Sequence, residues 1–194
     1  MKTLVVFSHP NADSFNGAVL KTVTDTLGQG QHEIKVRDLY KSGWNPLLST
    51  ADLQKLYSGQ VPDDIAAEQA EVSWADMLVF IYPIWWMEQP AILKGWIDRV
   101  FSHGFAYRLT EQGMMEGLLK GKKAVVITTS GANEENMRDN GILNAIDTCM
   151  IKGTIGFCGF TDIVYENLYS VPTVSDEERQ NMLAKVKNMF EKYN

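Results

Sequence analysis

The 194-residue chain contains neither GxGxxG nor GxxxxGK[ST], which disfavours a dinucleotide-binding Rossmann turn and a P-loop. Histidine is scarce. His9, His32 and His103 form no HExxH and no Cys/His cluster, so metal chemistry is disfavoured. The two cysteines, Cys149 and Cys158, lack CxxC spacing and suggest a buried thiol pair rather than a disulfide or metal site. No Ser-His-Asp or Cys-His set and no close carboxylate pair presents itself, which leaves bond-making to a cofactor. There is no run of Lys or Arg, and 18 basic against 24 acidic residues give a net charge of −6. Nucleic acid and anionic membrane are therefore poor partners, and a small polar or aromatic ligand is the better expectation. The longest apolar stretch, 77–87, is far short of a membrane span, and the N-terminal residues lack the pattern of a signal peptide. A cytoplasmic protein without membrane insertion is expected.

What is present is ordinary for a globular chain: 45% hydrophobic and 22% charged residues, consistent with one domain over 1–194. Residues 3–7 and 77–82 are continuous apolar runs, the pattern of strands buried on both faces of a parallel sheet. Ile34, Val36 and Leu39 alternate with polar residues as in an outer strand, and 123–129 and 162–168 supply two more strands. Between them the spacing predicts a helix after Ser14-Phe15-Asn16 that carries Val19, Leu20, Val23 and Leu27 and is closed by Gly28, and helices from Asp63 or Asp64 to Ala75, from Pro90 through Val100, over 138–152, and from Ser175 to Tyr193. Ser175 with Glu178 reads as a capping box. Residues 40–62 read as a long connection with at most one helical turn. Repeated βα units demand right-handed crossovers, giving an α/β doubly wound, five-stranded parallel sheet of order 2-1-3-4-5. In such a sheet the ligand lies beyond the carboxyl ends of the strands, among the loops 8–17, 83–90 and 128–141.

In the first loop, the free N–H groups at residues 14–17 and the Ser14 hydroxyl can hold a phosphate, although Ser14 could equally serve only as a helix cap. His9 could donate to the same anion or be a packed structural residue. The second loop, Tyr82-Pro83-Ile84-Trp85-Trp86-Met87-Glu88-Gln89-Pro90, suits a flat aromatic ligand; the alternative is that its indoles fill a seam between sheet and helix. In the third, Thr128, Thr129, Ser130 and Gly131 offer a hydrogen-bonding rim for a heterocycle edge. A phosphate at one end and a planar polar ring at the other describe a flavin nucleotide.

The segments 8–10 and 14–16, Asp64–Gln69, Phe80–Trp86, Pro90–Phe101 and Gly104–Tyr107, in that order along the chain, closely resemble the flavodoxin-like NAD(P)H:quinone oxidoreductase family. The resemblance implies a flavin-containing homodimer that reduces a quinone or related aromatic acceptor by two-electron, ping-pong hydride transfer from NAD(P)H. It places His9, Ser14, Phe15 and Asn16 at the phosphate, and Pro83, Ile84, Trp85, Trp86 and Met87 along the three-ring head. Thr128, Thr129, Ser130 and Gly131 fall at its pyrimidine edge, and Asp98 and Arg179 near an adenosine. That last pair favours FAD, with FMN as the alternative. A Tyr and a His that the family carries after the third loop are replaced by Met137 and Leu143. Trp86, Thr128 and Asn136 are accordingly expected nearest the chemistry, with Asn136, Arg138 or backbone N–H groups offsetting charge. A flavodoxin-type electron carrier and a regulatory subunit of a potassium-efflux system are the rival functions.

Overall fold

The computed structural model describes residues 1–194. Strands β1 (Lys2–Phe7), β2 (Glu33–Asp38), β3 (Met77–Pro83), β6 (Lys123–Thr129) and β7 (Asp162–Leu168) form one sheet in the order β2-β1-β3-β6-β7, every neighbour parallel. This is the 2-1-3-4-5 order expected. β3 is buried along its whole length, matching its apolar run, whereas β2 and β7 lie at the edges and are partly exposed, as the alternation in β2 led one to expect of that strand.

The two faces of the sheet carry separate cores. Val5, Phe7, Val79, Ile81 and Ile127 pack under α1 (Phe15–Gly28) and α7 (Asp176–Glu191). Val6, Phe80, Tyr82 and Val126 pack with α4 (Ala91–Val100) and with the segment from Met137 to Ile155. The capping box at Ser175 and Glu178 is formed. α3 (Asp63–Trp74) starts one residue earlier than a cap at Asp63 requires and two earlier than one at Asp64, because Pro62 occupies the cap position without a side-chain bond.

Four local features depart from the expectations. The 40–62 connection contains a two-turn helix, α2 (Thr50–Tyr57), started by a capping box between Ser49 and Asp52. Residues 107–117 form a small antiparallel hairpin of β4 (Tyr107–Leu109) and β5 (Met115–Gly117). The expected helix over 138–152 is broken: α5 (Glu134–Asp139) ends before Gly141 at φ 72°, α6 (Ile142–Ile146) follows, and Asp147–Gly156 then widens into a π-helix. Gly153 and Gly156 suit that coil, since a Cβ on Gly153 would sit 2.7 Å from the Thr148 carbonyl oxygen, and the Thr154 hydroxyl donates to the Cys149 carbonyl five residues back. Finally, the thiols are not a buried pair. Cys149 is exposed on the wide coil; Cys158 alone is buried, and burial pushes its pKa up to about 12.

Candidate active site

The loops after β1, β3 and β6 meet at the carboxyl edge of the sheet, where the chain leaves the paired strands β1 and β3 for helices on opposite faces. In the first loop Ser14 caps α1 by accepting from the Gly17 N–H at 3.3 Å. No chain acceptor bonds the N–H groups of Phe15 and Asn16, so the positive end of α1 is open to an anion. The loop crosses so closely over this turn that a Cβ on Gly17 would stand 1.8 Å from the Ala12 carbonyl oxygen. His9 is held through Nδ1, which accepts from the Asn11 N–H at 3.0 Å, and its ring lies 5.8 Å from that of Trp85.

Asn16 reports on what the site lacks. It is 4% exposed and its amide donates to the Thr129 hydroxyl at 2.9 Å, yet its Oδ1 has no partner. An orphaned buried acceptor costs about 1–3 kcal/mol, a cost that a hydrogen-bond donor on a bound ligand would remove.

The second loop is strained. Trp85 and Glu88 exchange main-chain hydrogen bonds at 3.0 and 3.1 Å, closing a turn around Trp86 at φ 50° and Met87 at φ 67°. Both conformations belong to Gly or Asn in such turns, and each non-glycine residue there costs roughly 1–3 kcal/mol. The turn leaves the N–H groups of Trp86 and Met87 without acceptors and puts the Trp86 side chain 96% in solvent. That exposure argues against the alternative of indoles filling a seam.

At the end of β6, Thr129 faces α1 while Thr128 faces the other core. The Thr128 hydroxyl donates to Asn167 Oδ1 at 2.7 Å and lies 3.1 Å from the Tyr165 hydroxyl. Burial pushes the Tyr165 phenol up to about 12 against the opposing effect of that hydrogen bond, and burial raises Tyr82 further still, so both are proton-bearing donors at neutral pH.

These loops enclose a cleft of about 230 Å³ lined by His9, Ser14, Phe15, Asn16, Pro83, Ile84, Trp85, Thr129, Ser130, Gly131, Val171 and Pro172. A family model described as the flavodoxin-like fold matches residues 1–190. The chain belongs to the flavodoxin-like family. An uncharacterized NAD(P)H oxidoreductase of Haemophilus influenzae is 36% identical over 184 residues, 94% of this chain and 91% of that one. The human ribosyldihydronicotinamide dehydrogenase [quinone] is 31% identical over 205 residues, covering 94% and 87%. Among solved structures, the NAD(P)H:quinone oxidoreductase from Methanothermobacter marburgensis superposes with a TM-score of 0.89 at 30% identity, covering 100% of this chain and 96% of that one. The resemblance carried by the segments from Ser8 to Tyr107 thus holds at the level of family.

For this flavodoxin-like chain, ten of the expected contact residues converge on the one cleft. Trp86 and Met87 instead line a neighbouring cavity of about 370 Å³ behind the strained turn, together with Tyr82, Lys94, Cys149 and Met150; Ile84 borders both spaces. Thr128 is fully buried beneath the cleft rather than in its wall. Asn136 lies on exposed α5, bonded to Asn133 and Asn140, and lines neither space. Arg179 donates to the carbonyls of Val171 and Val174 and so fixes the Val171–Pro172 wall from behind. Asp98 does not line the cleft. It pairs with Lys94 at 2.5 Å and lines a groove with Leu48, Leu53, Tyr57 and Tyr107. Val171, Pro172, Tyr165 and Asn167 were not anticipated; the i,i+2 spacing of Tyr165 and Asn167 in a strand was the available signal that both face one core.

Proposed function

We propose that this protein is a flavin-dependent NAD(P)H:quinone oxidoreductase, a single flavin-binding domain over 1–194 in which NAD(P)H and a quinone or related aromatic acceptor occupy one pocket in turn. The observation that carries this reading is the convergence, on one cleft, of the open first turn of α1 and the strained Trp85–Glu88 turn. The flavin, when bound, supplies two-electron hydride chemistry. The chain supplies placement. Ser14 and the N–H groups of Phe15 and Asn16 hold the phosphate with the helix dipole behind them. Asn16 Oδ1 gains its missing donor. The N–H groups of Trp86, Met87 and Gly131 serve the polar edge of the ring, while Pro83, Ile84 and Trp85 exclude water from it.

The cleft is smaller than a pocket that swallows its ligand, so the ring's outer face needs a cover. A second copy of the chain is the cover we assign. Leu48, Leu53, Tyr57, Leu109, Met115 and Phe157 are exposed apolar residues on and beside the Asp98 groove and are suited to a homodimer interface. FMN engages only residues that one chain brings together. FAD would take Arg179 from the same chain and Asp98 from the partner, so adenosine binding and dimerisation go together. An exposed, unpaired Cys149 suits the reducing cytoplasm.

The test is the absorption spectrum and mass of the ligand released from purified protein, followed by stopped-flow reduction with NADPH. A flavin spectrum and direct bleaching support the reading. Apoprotein that takes up neither FMN nor FAD at micromolar concentration overturns it, and a flavin bleached only by a partner reductase marks an electron carrier instead.

A further inference from the structure

Behind the third loop a chain of polar groups runs through an otherwise apolar core. Thr128, Asn167 and Ser130 are 0%, 3% and 6% exposed. Their hydrogen bonds have only one consistent direction. Asn167 Oδ1 only accepts, so Thr128 donates to it at 2.7 Å, and the Tyr165 hydroxyl must then donate to Thr128 at 3.1 Å. At the other end, Asn167 Nδ2 donates to the Ser130 hydroxyl at 3.0 Å, which sends the Ser130 proton to the Ala132 carbonyl, also at 3.0 Å. A second Asn167 amide contact goes to Met137 Sδ at 3.6 Å. Every side-chain member is satisfied inside the chain.

The fold does not need this arrangement. Three main-chain bonds already tie the turn to the end of β7: Ser130 N–H to Leu168 O, Val171 N–H to Ser130 O, and Ser170 N–H to Ala132 O. Replacing a buried polar set by apolar groups of similar shape is often nearly neutral for stability. What the polar chain adds is orientation. It locks the Ser130 hydroxyl onto Ala132 O, and so fixes the short turn whose Gly131 and Ala132 N–H groups have no acceptor in the protein.

We propose that Asn167 is a positioning residue: through Ser130 it holds the 130–132 turn so that the free N–H groups of Gly131 and Ala132 stay presented to the carbonyl edge of a planar heterocyclic ligand. This rests on the flavin reading above. Asn167 touches no ligand; it sets both the affinity and the electronic environment of the ring.

The test is a double-mutant cycle on Asn167→Leu and Ser130→Ala. FMN affinity is read by fluorescence titration, and the midpoint potential and absorption maximum are read on the bound flavin. Each single variant is expected to weaken FMN binding by about tenfold and to shift both the potential and the absorption maximum. The double variant should match the more affected single one, because both cut the same link. Asn167→Ser, which keeps a small polar group, is read in place of Asn167→Leu if the latter does not fold. Wild-type-like affinity and potential in the Asn167 variants, or effects that multiply in the double variant, overturn the positioning role alone. Wild-type protein that binds neither FMN nor FAD overturns the flavin reading, and this proposal with it.

Discussion

Arg99 ties the 40–62 connection to α4, and its loss should be the most damaging single charge removal in the chain. Its guanidinium is 4% exposed and reaches Asp52 at 3.2 and 3.3 Å, Asp64 at 2.7 Å and the Asn45 carbonyl at 3.0 Å, and it sits 4.7 Å from the Trp44 ring centre. Arg99→Met keeps the packing stem but strands the Asp52 carboxylate, whose side chain is only 11% exposed. Removing one partner of a buried pair costs about 3–5 kcal/mol. Asp64 is half exposed and adds about 1 kcal/mol or less. Asp52 still accepts from the Ser49 N–H at 2.9 Å, which places the expected loss near the low end, about 3 kcal/mol. With a urea slope of about 2 kcal/mol/M, the midpoint should fall by about 1.5 M. Arg99→Met with Asp52→Asn should recover part of the loss, because no buried charge is then left unpaired. The pH dependence has a definite sign. Burial pushes the Asp52 carboxyl up, but hydrogen bonds from Ser49 and Arg99 outweigh it and hold the group below its ordinary value. Its contribution is therefore complete above the ordinary carboxylate range and is lost as pH falls through the depressed value. Without Arg99 the depression is lessened, so the acid-induced loss due to Asp52 should shrink and the variant's deficit should narrow as pH falls through the carboxylate range. A midpoint shift under 0.5 M, or an unchanged acid limb, would refute the reasoning.

Three further outcomes are expected. Met87→Gly removes left-handed strain, so thermal unfolding of the apoprotein should show a gain of about 0.5–1 kcal/mol while FMN affinity falls, because the turn becomes pliable; a loss of stability would contradict the strain argument. Gly17→Ala forces the 10–14 loop off α1, and titration should show FMN binding at least tenfold weaker with stability lowered by about 1–3 kcal/mol. In native protein a thiol reagent should modify Cys149 alone, with Cys158 reacting only after denaturation; equal rates would contradict the burial described.

The buried strands and their order were legible because β1, β3 and β6 are continuous apolar runs, and parallel crossovers leave few topologies open. Convergence of the loops that carry Ser14, Asn16, Pro83 and Thr129 followed from that order, and the resemblance picked out the residues. Other features were hidden for identifiable reasons. α2 is short and mostly exposed, although Ser49 and Asp52 carried the spacing of its cap. The three-residue strands of the 107–117 hairpin have no alternation long enough to detect. Helical spacing across 138–152 concealed a left-handed Gly141 and the widened coil after it, and with the coil the exposure of Cys149. The resemblance placed Trp86 and Met87 along the ring, whereas the Trp85–Glu88 turn that sets them against the neighbouring cavity is announced by no residue type.

Thr128 and Thr129, adjacent in β6, drop to opposite sides of the sheet, one among Tyr165 and Asn167 and the other against Asn16. On the flavin reading proposed above, the two ends of the bound molecule would thereby be governed from two interiors that share no side chains. A substitution beneath α1 and α7 can retune the anion end while leaving the ring end alone, and one near Met137 can do the reverse. Such a division lets drift in one compartment alter which compounds are accepted without loosening the anchor held by the other.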